Sequence, residues 1–480
     1  MKYDENNEKD IERYGKELEN NSLKKLGIFE ISKNIDKGGF NKIVEAKYFG
    51  IANNSYQEPD FKKVGVELKV TPLKRIKVEK SSTFLRKRKG LSMKERTILT
   101  MIDYIKLSSE VWEKNTLSAK AFKILFCFYI WEKDISNLDY IFDLVSLWKP
   151  SKKDFEVIRN DWETILNKVK EGKAHEISEG DTLYLGACTK GSKKNNMRKQ
   201  PYSCILAKQR AFSFKRNYMD VIYEELLQKK ELELISIREE NKTLEESLEN
   251  IFKPYIGKTA FELEKQFGIS INKKNLRLAK NYYSMISNRI LKVDSEEKIE
   301  EFKKAGVILK TIRVKKDGKP LENISFPNFK FKEIIEEEIW EESELYNYLT
   351  NQKFLFIIYE IQTKTLKEFQ NLKDFEKRKV LKLKKIKLWN IPENGLNEME
   401  KVWEKTREIA NQGIIIIEKN NKKYNNLPGL SFNGIGHVRP HGKNSKDVDI
   451  LPNGEKITKQ CFWLNATYIQ KEVVLTKNNS

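Results

Sequence analysis

Histidine and cysteine are scarce: three and four respectively in 480 residues. The cysteines, Cys127, Cys188, Cys204 and Cys461, are scattered and form no C-x-x-C pair. That argues against a disulfide framework and against a zinc knuckle, and the expected setting is reduced and cytoplasmic. Long apolar runs are missing too. The longest, "AFKILFCFYIW" from Ala121 to Trp131, contains Lys123 and is too short to span a bilayer. The polar, charged start "MKYDENNEKDIERYGKELEN" does not read as a signal peptide. Low-complexity and collagen-like bias are absent, while 39% hydrophobic and 11% aromatic residues suffice for a packed core. The length fits two or three domains.

Positive charge is plentiful. Lys and Arg number 91 against 70 Asp and Glu, a net +21. An AT-rich genome that favours Lys codons explains part of this, but Glu is equally favoured there and the basic excess remains. A polyanion, and nucleic acid first, is the expected partner. No basic amphipathic helix stands out for a membrane surface.

The chain repeats itself. "FKKVGVELK" (Phe61–Lys69) recurs as "FKKAGVILK" (Phe302–Lys310), and "AKQRAFSFKRNYM" (Ala207–Met219) as "TKQCFWLNATYI" (Thr458–Ile469). A weaker pair is Asn34–Gly50 with Asn275–Lys292. Three stretches recurring in one order point to a duplicated domain. Between the copies, Glu224–Phe252 is rich in helix formers and charge and lacks Pro and Gly, so it is expected to be a solvated connecting helix. Within each copy the pattern reads helix, strand, helices, strand, helix. "VGVELKV" is a predicted strand. Glu95–Trp112 and Ser151–Gly172 are predicted helices, the second capped by Ser151, and "DTLYLGACTKG" is a predicted strand running into a basic loop. The expectation is a mixed α/β domain, twice.

On the predicted strand Glu67 and Lys69 share one face, and Val66, Leu68 and Val70 share the other. Asp60 precedes it, where a turn can bring its carboxylate beside Glu67. Two converging carboxylates make a hard oxygen site suited to Mg²⁺. A nearby ammonium can orient a water and balance developing negative charge, which completes a minimal kit for phosphodiester hydrolysis. Acid-x(6)-acid-x-base arises about twice by chance in this composition, and a half-exposed Glu/Lys face is the plainer reading of one occurrence. The repeat supplies an internal control: the second copy keeps Phe302, Gly306, Leu309 and Lys310, but has Glu301 at the place of Asp60 and Ile308 at that of Glu67. The acid is therefore not required by the shared backbone phrase.

"EPDFKKVGVELKVTP" resembles the core of the MutH-type endonucleases, a branch of the restriction-endonuclease-like nucleases that includes type II enzymes cutting GATC. "KGGFNKIVEAKYFG" resembles that family's N-terminal helix, and "SLWKPSKKDFEVIRNDWETILNKVKEG" the helix before its DNA-reading region. "LYLGACTKG" and "AKQRAFSFKRNYM" resemble the strands that contact the site. The resemblance is good over Lys24–Tyr223; the second copy matches at "HVRPHGKN" and "TKQCFWLNATYI" without the acids. It implies two tandem MutH-like domains, each a mixed sheet flanked by helices: residues 1–223 catalytic, 224–252 a linker, 253–480 a degenerate DNA-binding effector. It implies Asp60 and Glu67 as metal ligands, Lys69 as the catalytic lysine, Glu45 as an auxiliary acid and Mg²⁺ as cofactor. It further implies duplex GATC DNA as partner, with one or two sites engaged and the chain a monomer when free or a dimer on DNA. Duplication favours a restriction enzyme over a mismatch-repair nickase, and the intact Asp60, Glu67 and Lys69 set speaks against a DNA binder without catalysis.

Candidate DNA contacts follow. "TKGSKKNNMRKQPYS" carries Lys190, Lys193, Lys194, Arg198 and Lys199 in a Gly/Asn loop suited to phosphate contact. Lys208, Arg210 and Lys215 lie in the C-terminal strand-helix segment, and Lys459 in its repeat. In "HVRPHGKNSKD", Arg439, His441 and Lys443 share a face if a strand persists, and Arg or Lys there could pair with guanine. Zinc at His437 and His441 is rejected, since Pro440 opposes a helix and no third ligand is near in sequence. Lys94 and Arg96, in "KRKGLSMKER", are candidates for phosphate contact near the cut. A solvated charge run is the plainer reading of each basic loop.

Overall fold

Short β-branched and aromatic runs form the strands of this chain, and charged stretches with side-chain caps form its helices. The computed structural model describes residues 2–29, 39–52, 58–76, 90–190, 196–229, 232–240, 242–269, 278–279, 281–419, 422–444 and 446–476. They divide into two units, Met1–Glu233 and Leu234–Ser480.

The strands of the first unit are β1 (Glu67–Arg75), β2 (Leu91–Met93), β3 (Thr97–Met101), β4 (Ile124–Ile130), β5 (Ile141–Trp148), β6 (Leu185–Thr189), β7 (Met197–Gln200), β8 (Ser203–Lys208) and β9 (Arg210–Phe214). One sheet has the order β2-β1-β4-β5, with β1 and β4 parallel and the other pairs antiparallel. A second, antiparallel sheet has the order β3-β9-β6, and β7 and β8 form a hairpin. Val66, Leu68 and Val70 are buried, in one cluster with Ile11 and Tyr14 of the helix Glu8–Lys16. Each such side chain contributes about 1.5–3 kcal/mol by leaving water. The helix Lys152–Lys170 starts where the sequence indicates, with Ser151 Oγ accepting from the Asp154 amide at 3.2 Å.

The second unit contains β10 (Val307–Val314), β11 (Ile324–Asn328), β12 (Lys353–Ile361), β13 (Leu381–Trp389), β14 (Ile416–Lys419), β15 (Lys422–Asn425), β16 (Gly436–Pro440), β17 (Val448–Ile450), β18 (Lys456–Thr458) and β19 (Gln460–Leu464). The order β10-β12-β13 repeats β1-β4-β5, parallel then antiparallel, and β11-β19-β16 repeats β3-β9-β6. Register repeats as well: Glu67 faces Ile124, and Ile308 faces Phe354. The β4–β5 ladder slips between Phe128 and Tyr129, and the β12–β13 ladder between Ile358 and Tyr359. Gly65 (φ +66°) and Gly306 (φ +67°) occupy the same left-handed position before the strand, one that a side chain strains. The molecule is thus mixed α/β, built twice on one topology.

Two predicted helices are corrected. Within Glu95–Trp112, Thr97–Met101 is the strand β3, and only Tyr104–Leu107 is helical, behind the cap Asp103. β-Branched residues at 97, 98 and 100 pair with β9, and that pairing overrides the helical spacing. The expected connecting helix over 224–252 is also broken. The helix Arg216–Gln228 ends at Lys229 in a left-handed conformation, Ile235 bridges Ile299, and a new helix, Leu244–Phe252, begins at the cap Thr243. Among the described residues no helix is long and apolar enough to cross a membrane.

Candidate active site

A tight loop closes between Phe61 and Val66, with the Phe61 amide donating to the Val66 carbonyl at 2.9 Å. It folds Asp60 back onto β1, where Asp60 Oδ2 accepts from the Leu68 amide at 2.9 Å. Glu67 is 2% exposed on the adjoining face. Its Oε1 accepts from Lys69 Nζ at 2.7 Å and its Oε2 from Lys120 Nζ at 2.9 Å. Lys120 sits in the short helix Ser118–Ala121, just ahead of β4. Sequence reasoning missed it: nothing in local spacing ties it to Glu67, and only the parallel pairing of β1 with β4 brings the two together. Glu45 reaches the same group from the wide helical turn Val44–Tyr48.

Burial, and then the Glu67 charge, push the Asp60 carboxyl up to about 6, against the pull of the Leu68 amide, Lys120 and Lys69. Burial, and then Asp60, push Glu45 up to about 7, with Lys69 and Lys120 opposing. The three acids and two lysines therefore share one electrostatic field. An adjoining cleft of about 230 Å³ is lined by Glu45, Lys69, Thr71, Glu95 and Arg96 among others.

Among the described residues no group of three or more His, Cys, Asp and Glu side chains is placed to hold a metal ion. The protein thus offers two close carboxylates, from Asp60 and Glu67. That donor set fits Mg²⁺, which keeps several waters and commonly takes one or two protein carboxylates plus phosphate oxygens. Carboxyls raised by burial and mutual repulsion are the groups a divalent cation relieves.

Two expected outcomes follow. Lys120→Ala is expected to lower the activity of this site by about 10–100-fold, as loss of a partner that orients a site carboxylate does; single-turnover assays check it, and an unchanged rate would remove Lys120 from the site. The second concerns metal-free protein. A carboxyl raised in the folded state holds its proton more tightly there than in the unfolded chain. The stability this gives is full below the ordinary values of 4.5 for Glu45 and 3.8 for Asp60, and is lost as pH rises through about 7 and about 6. Partial exposure screens the effect to about 1–3 kcal/mol. Melting in EDTA falls between pH 5 and pH 8, and Mg²⁺ restores it at the upper end; a flat profile contradicts the shared field.

The basic candidates separate. Arg198 and Lys199 are exposed on β7, with Arg198 Nη2 donating to Gln209 Oε1 at 2.7 Å. Lys190 and Lys208 are half-buried beside that hairpin. Lys193 and Lys194 lie outside the described residues. Lys94 lies over the Trp131 ring at 4.7 Å. Arg96, half-buried, lines the cleft and pairs with the buried Glu179. Two expected DNA contacts are corrected. Arg210 is 1% exposed and donates to the Ala187 carbonyl at 2.7 Å. Lys215 is 3% exposed and donates to the Thr182 carbonyl at 2.6 Å. Buried cations survive by pairing internally, so Arg210 and Lys215 hold the fold rather than meet phosphate.

In the second unit β16 ends at Pro440, so the shared strand face expected for Arg439, His441 and Lys443 does not form. All three are exposed nonetheless. His441 Nδ1 lies 3.2 Å from Asn328 Oδ1, Arg439 lies over the Trp463 ring at 5.8 Å, and Lys459 pairs with Asp447 at 2.5 Å. His437 is buried against Asn465 at 2.6 Å. At the repeat of the acid pair, Ile308 stands at the Glu67 register. Glu301 is 3% exposed and accepts from Ser236 Oγ at 2.5 Å and from the Ile237 and Arg238 amides at 3.1 and 3.2 Å. Burial holds the Lys310 ammonium below its ordinary value.

The buried Glu67 on β1, held between Lys69 and Lys120 with Asp60 folded back beside it, on a fold built twice, is the architecture of a nuclease. A family model described as the DNA mismatch repair enzyme MutH matches residues 49–161. The type II restriction enzyme Sau3AI of Staphylococcus aureus is 33% identical over 468 residues, covering 89% of this chain and 90% of that enzyme. The DNA mismatch repair protein MutH of Shewanella amazonensis is 28% identical over 152 residues, 31% of this chain and 61% of that protein. The corresponding protein of Histophilus somni is 27% identical over 169 residues, covering 33% and 69%. The chain belongs to the MutH-type endonuclease family, in its type II restriction-enzyme branch.

Proposed function

We propose that the chain is a Mg²⁺-dependent type II restriction endonuclease that hydrolyses both strands of duplex DNA at GATC, in the cytoplasm. In this reading the first unit cuts, and the second unit binds a further GATC duplex and promotes the cut. The observation that carries it is the contrast at one register: Glu67 with Lys69 and Lys120 in the first unit, and Ile308 with Glu301 turned to the main chain in the second.

Asp60 and Glu67 would hold the cation, which supplies Lewis-acid stabilisation of the phosphate and of the attacking oxygen. Lys120 and Lys69 fix the Glu67 carboxylate from either side. Lys69, on the face of β1 that lines the cleft, orients a water and offsets charge developing on the phosphate. Glu45 accepts a proton near neutrality. Arg198 and Lys199 bind backbone phosphate beside the site.

Cleavage of a mapped plasmid in Mg²⁺ tests the reading, with both strands expected to end within GATC. Specific binding weakens by about 10³–10⁵-fold between ~50 and ~200 mM salt if six to ten phosphates are neutralised. For the second unit, a one-site plasmid is expected to be cut more slowly than a two-site plasmid and to be rescued by an uncleavable GATC duplex in trans, a coupling between two sites. Equal rates in all of these reactions would leave the second unit a structural or dimer-forming part. Ends mapped to another sequence would overturn the target.

A further inference from the structure

The second unit contains a basic cleft away from the repeat of the active site. β10 leaves the sheet through a reversal at Lys315–Lys319, where the Lys315 amide donates to the Lys319 carbonyl at 3.0 Å and Gly318 takes φ +82°. The returning chain bridges Pro320 to Val314, and the Leu321 amide donates to the Arg313 carbonyl at 3.0 Å. Facing this reversal are the helix Leu366–Asn371 and the residue Lys377. The concavity between them has a volume of about 410 Å³.

Four cations line it, Arg313, Lys315, Lys319 and Lys377, against one carboxylate, Glu322. Glu322 pairs with Arg313, and Lys377 pairs with Asp374 at 2.8 Å. Among the described residues, Lys315 and Lys319 have no ion-pair partner. The remaining wall is apolar at Pro320, Leu321, Leu366 and Phe369, with the amide of Gln370 beside them and Lys377 Nζ at 5.6 Å from the Phe369 ring. Cations gathered in a concavity repel one another, and the cost falls when an anion enters. A phosphate monoester carries a charge of roughly −1.5 to −2 near neutrality and three acceptor oxygens. A cleft of this size, with an apolar wall and a few convergent polar groups, matches a small ligand rather than a flat macromolecular contact. β10 presents Arg313 on the side opposite Ile308, Lys310 and Ile312, so the cleft does not share the face that repeats the catalytic one.

We propose that this cleft binds the phosphate monoester of a nucleotide, the base resting on the apolar wall. The chemistry is shared by two sources, a free nucleoside monophosphate and the 5′-phosphorylated end of a DNA strand. The inference goes beyond the effector reading, and it stands or falls without any cleavage assay. The test titrates the full chain, without divalent metal, by calorimetry against dAMP and against a short duplex with and without 5′-phosphates. Wild type is compared with the Lys315→Gln/Lys319→Gln double variant, whose melting temperature verifies that it is folded. Loss of about tenfold or more in dAMP affinity in the double variant supports the free nucleotide. Loss confined to the gain that the 5′-phosphate confers on the duplex supports the strand end. Equal affinities of the two proteins for every probe, or no saturable binding by wild type, overturns the proposal.

Discussion

Replacing Glu67 with alanine is expected to reduce cleavage by at least about 10³-fold while leaving DNA binding in place. The carboxylate is buried, is held by Lys69 at 2.7 Å and Lys120 at 2.9 Å, and in the proposed reading is one of the two cation ligands. Its removal takes away a ligand and leaves two ammonium groups facing each other across the gap. In the proposed reading DNA binding rests elsewhere, on exposed residues such as Arg198 and Lys199. Lys69→Ala is expected to act in the same direction, since it deprives the phosphate of a countercharge as well as freeing Glu67. Cleavage assays beside gel shifts in metal-free buffer separate the two effects. Near-wild-type cutting by Glu67→Ala would show that the reaction runs elsewhere.

Asp161→Ala is expected to destabilise the first unit by about 3–5 kcal/mol. Asp161, buried in the helix Lys152–Lys170, accepts from the amides of Leu183, Tyr184 and Leu185 at 2.7, 2.7 and 2.9 Å. Burial pushes its carboxyl up, and the three amides and the nearby Lys215 pull it back. Without the carboxylate, three buried amides lose their acceptor at the start of β6 and Lys215 loses its countercharge. β6 leads directly into the basic stretch at Lys190, so the mutant is also expected to bind DNA less tightly. Denaturant unfolding followed through the first unit measures the change. Asp161→Asn retains one acceptor oxygen and falls between the two. A shift under about 1 kcal/mol would mean that the amides find other partners.

The parts legible in the sequence are those fixed by short-range rules. The Val66–Leu68–Val70 alternation fixes the strand and the face of Glu67. Ser151 marks a helix start. Asp60 stands just ahead of the strand, where a turn can return its carboxylate to it. Lys120 was illegible because a parallel pairing, rather than spacing, carries it to Glu67. Arg210 and Lys215 were misjudged because a lysine-rich chain hides its few internal cations among many solvated ones; only burial separates them. The Glu224–Phe252 stretch has helical composition throughout, yet the β-bridge at Ile235 and the pull of Glu301 on the following amides outweigh that propensity.

That same Glu301 makes the second copy's history hard to reverse. Its carboxylate has taken up a structural post: three donors from residues 236–238 now depend on it, and the chain entering the second unit is laced to it. Returning an acid to position 308 would put back one oxygen ligand, but the other stays engaged, and freeing it would unlace that segment. Building an acid pair in the second unit therefore takes two coordinated changes, one at position 308 and one in the segment that Glu301 holds.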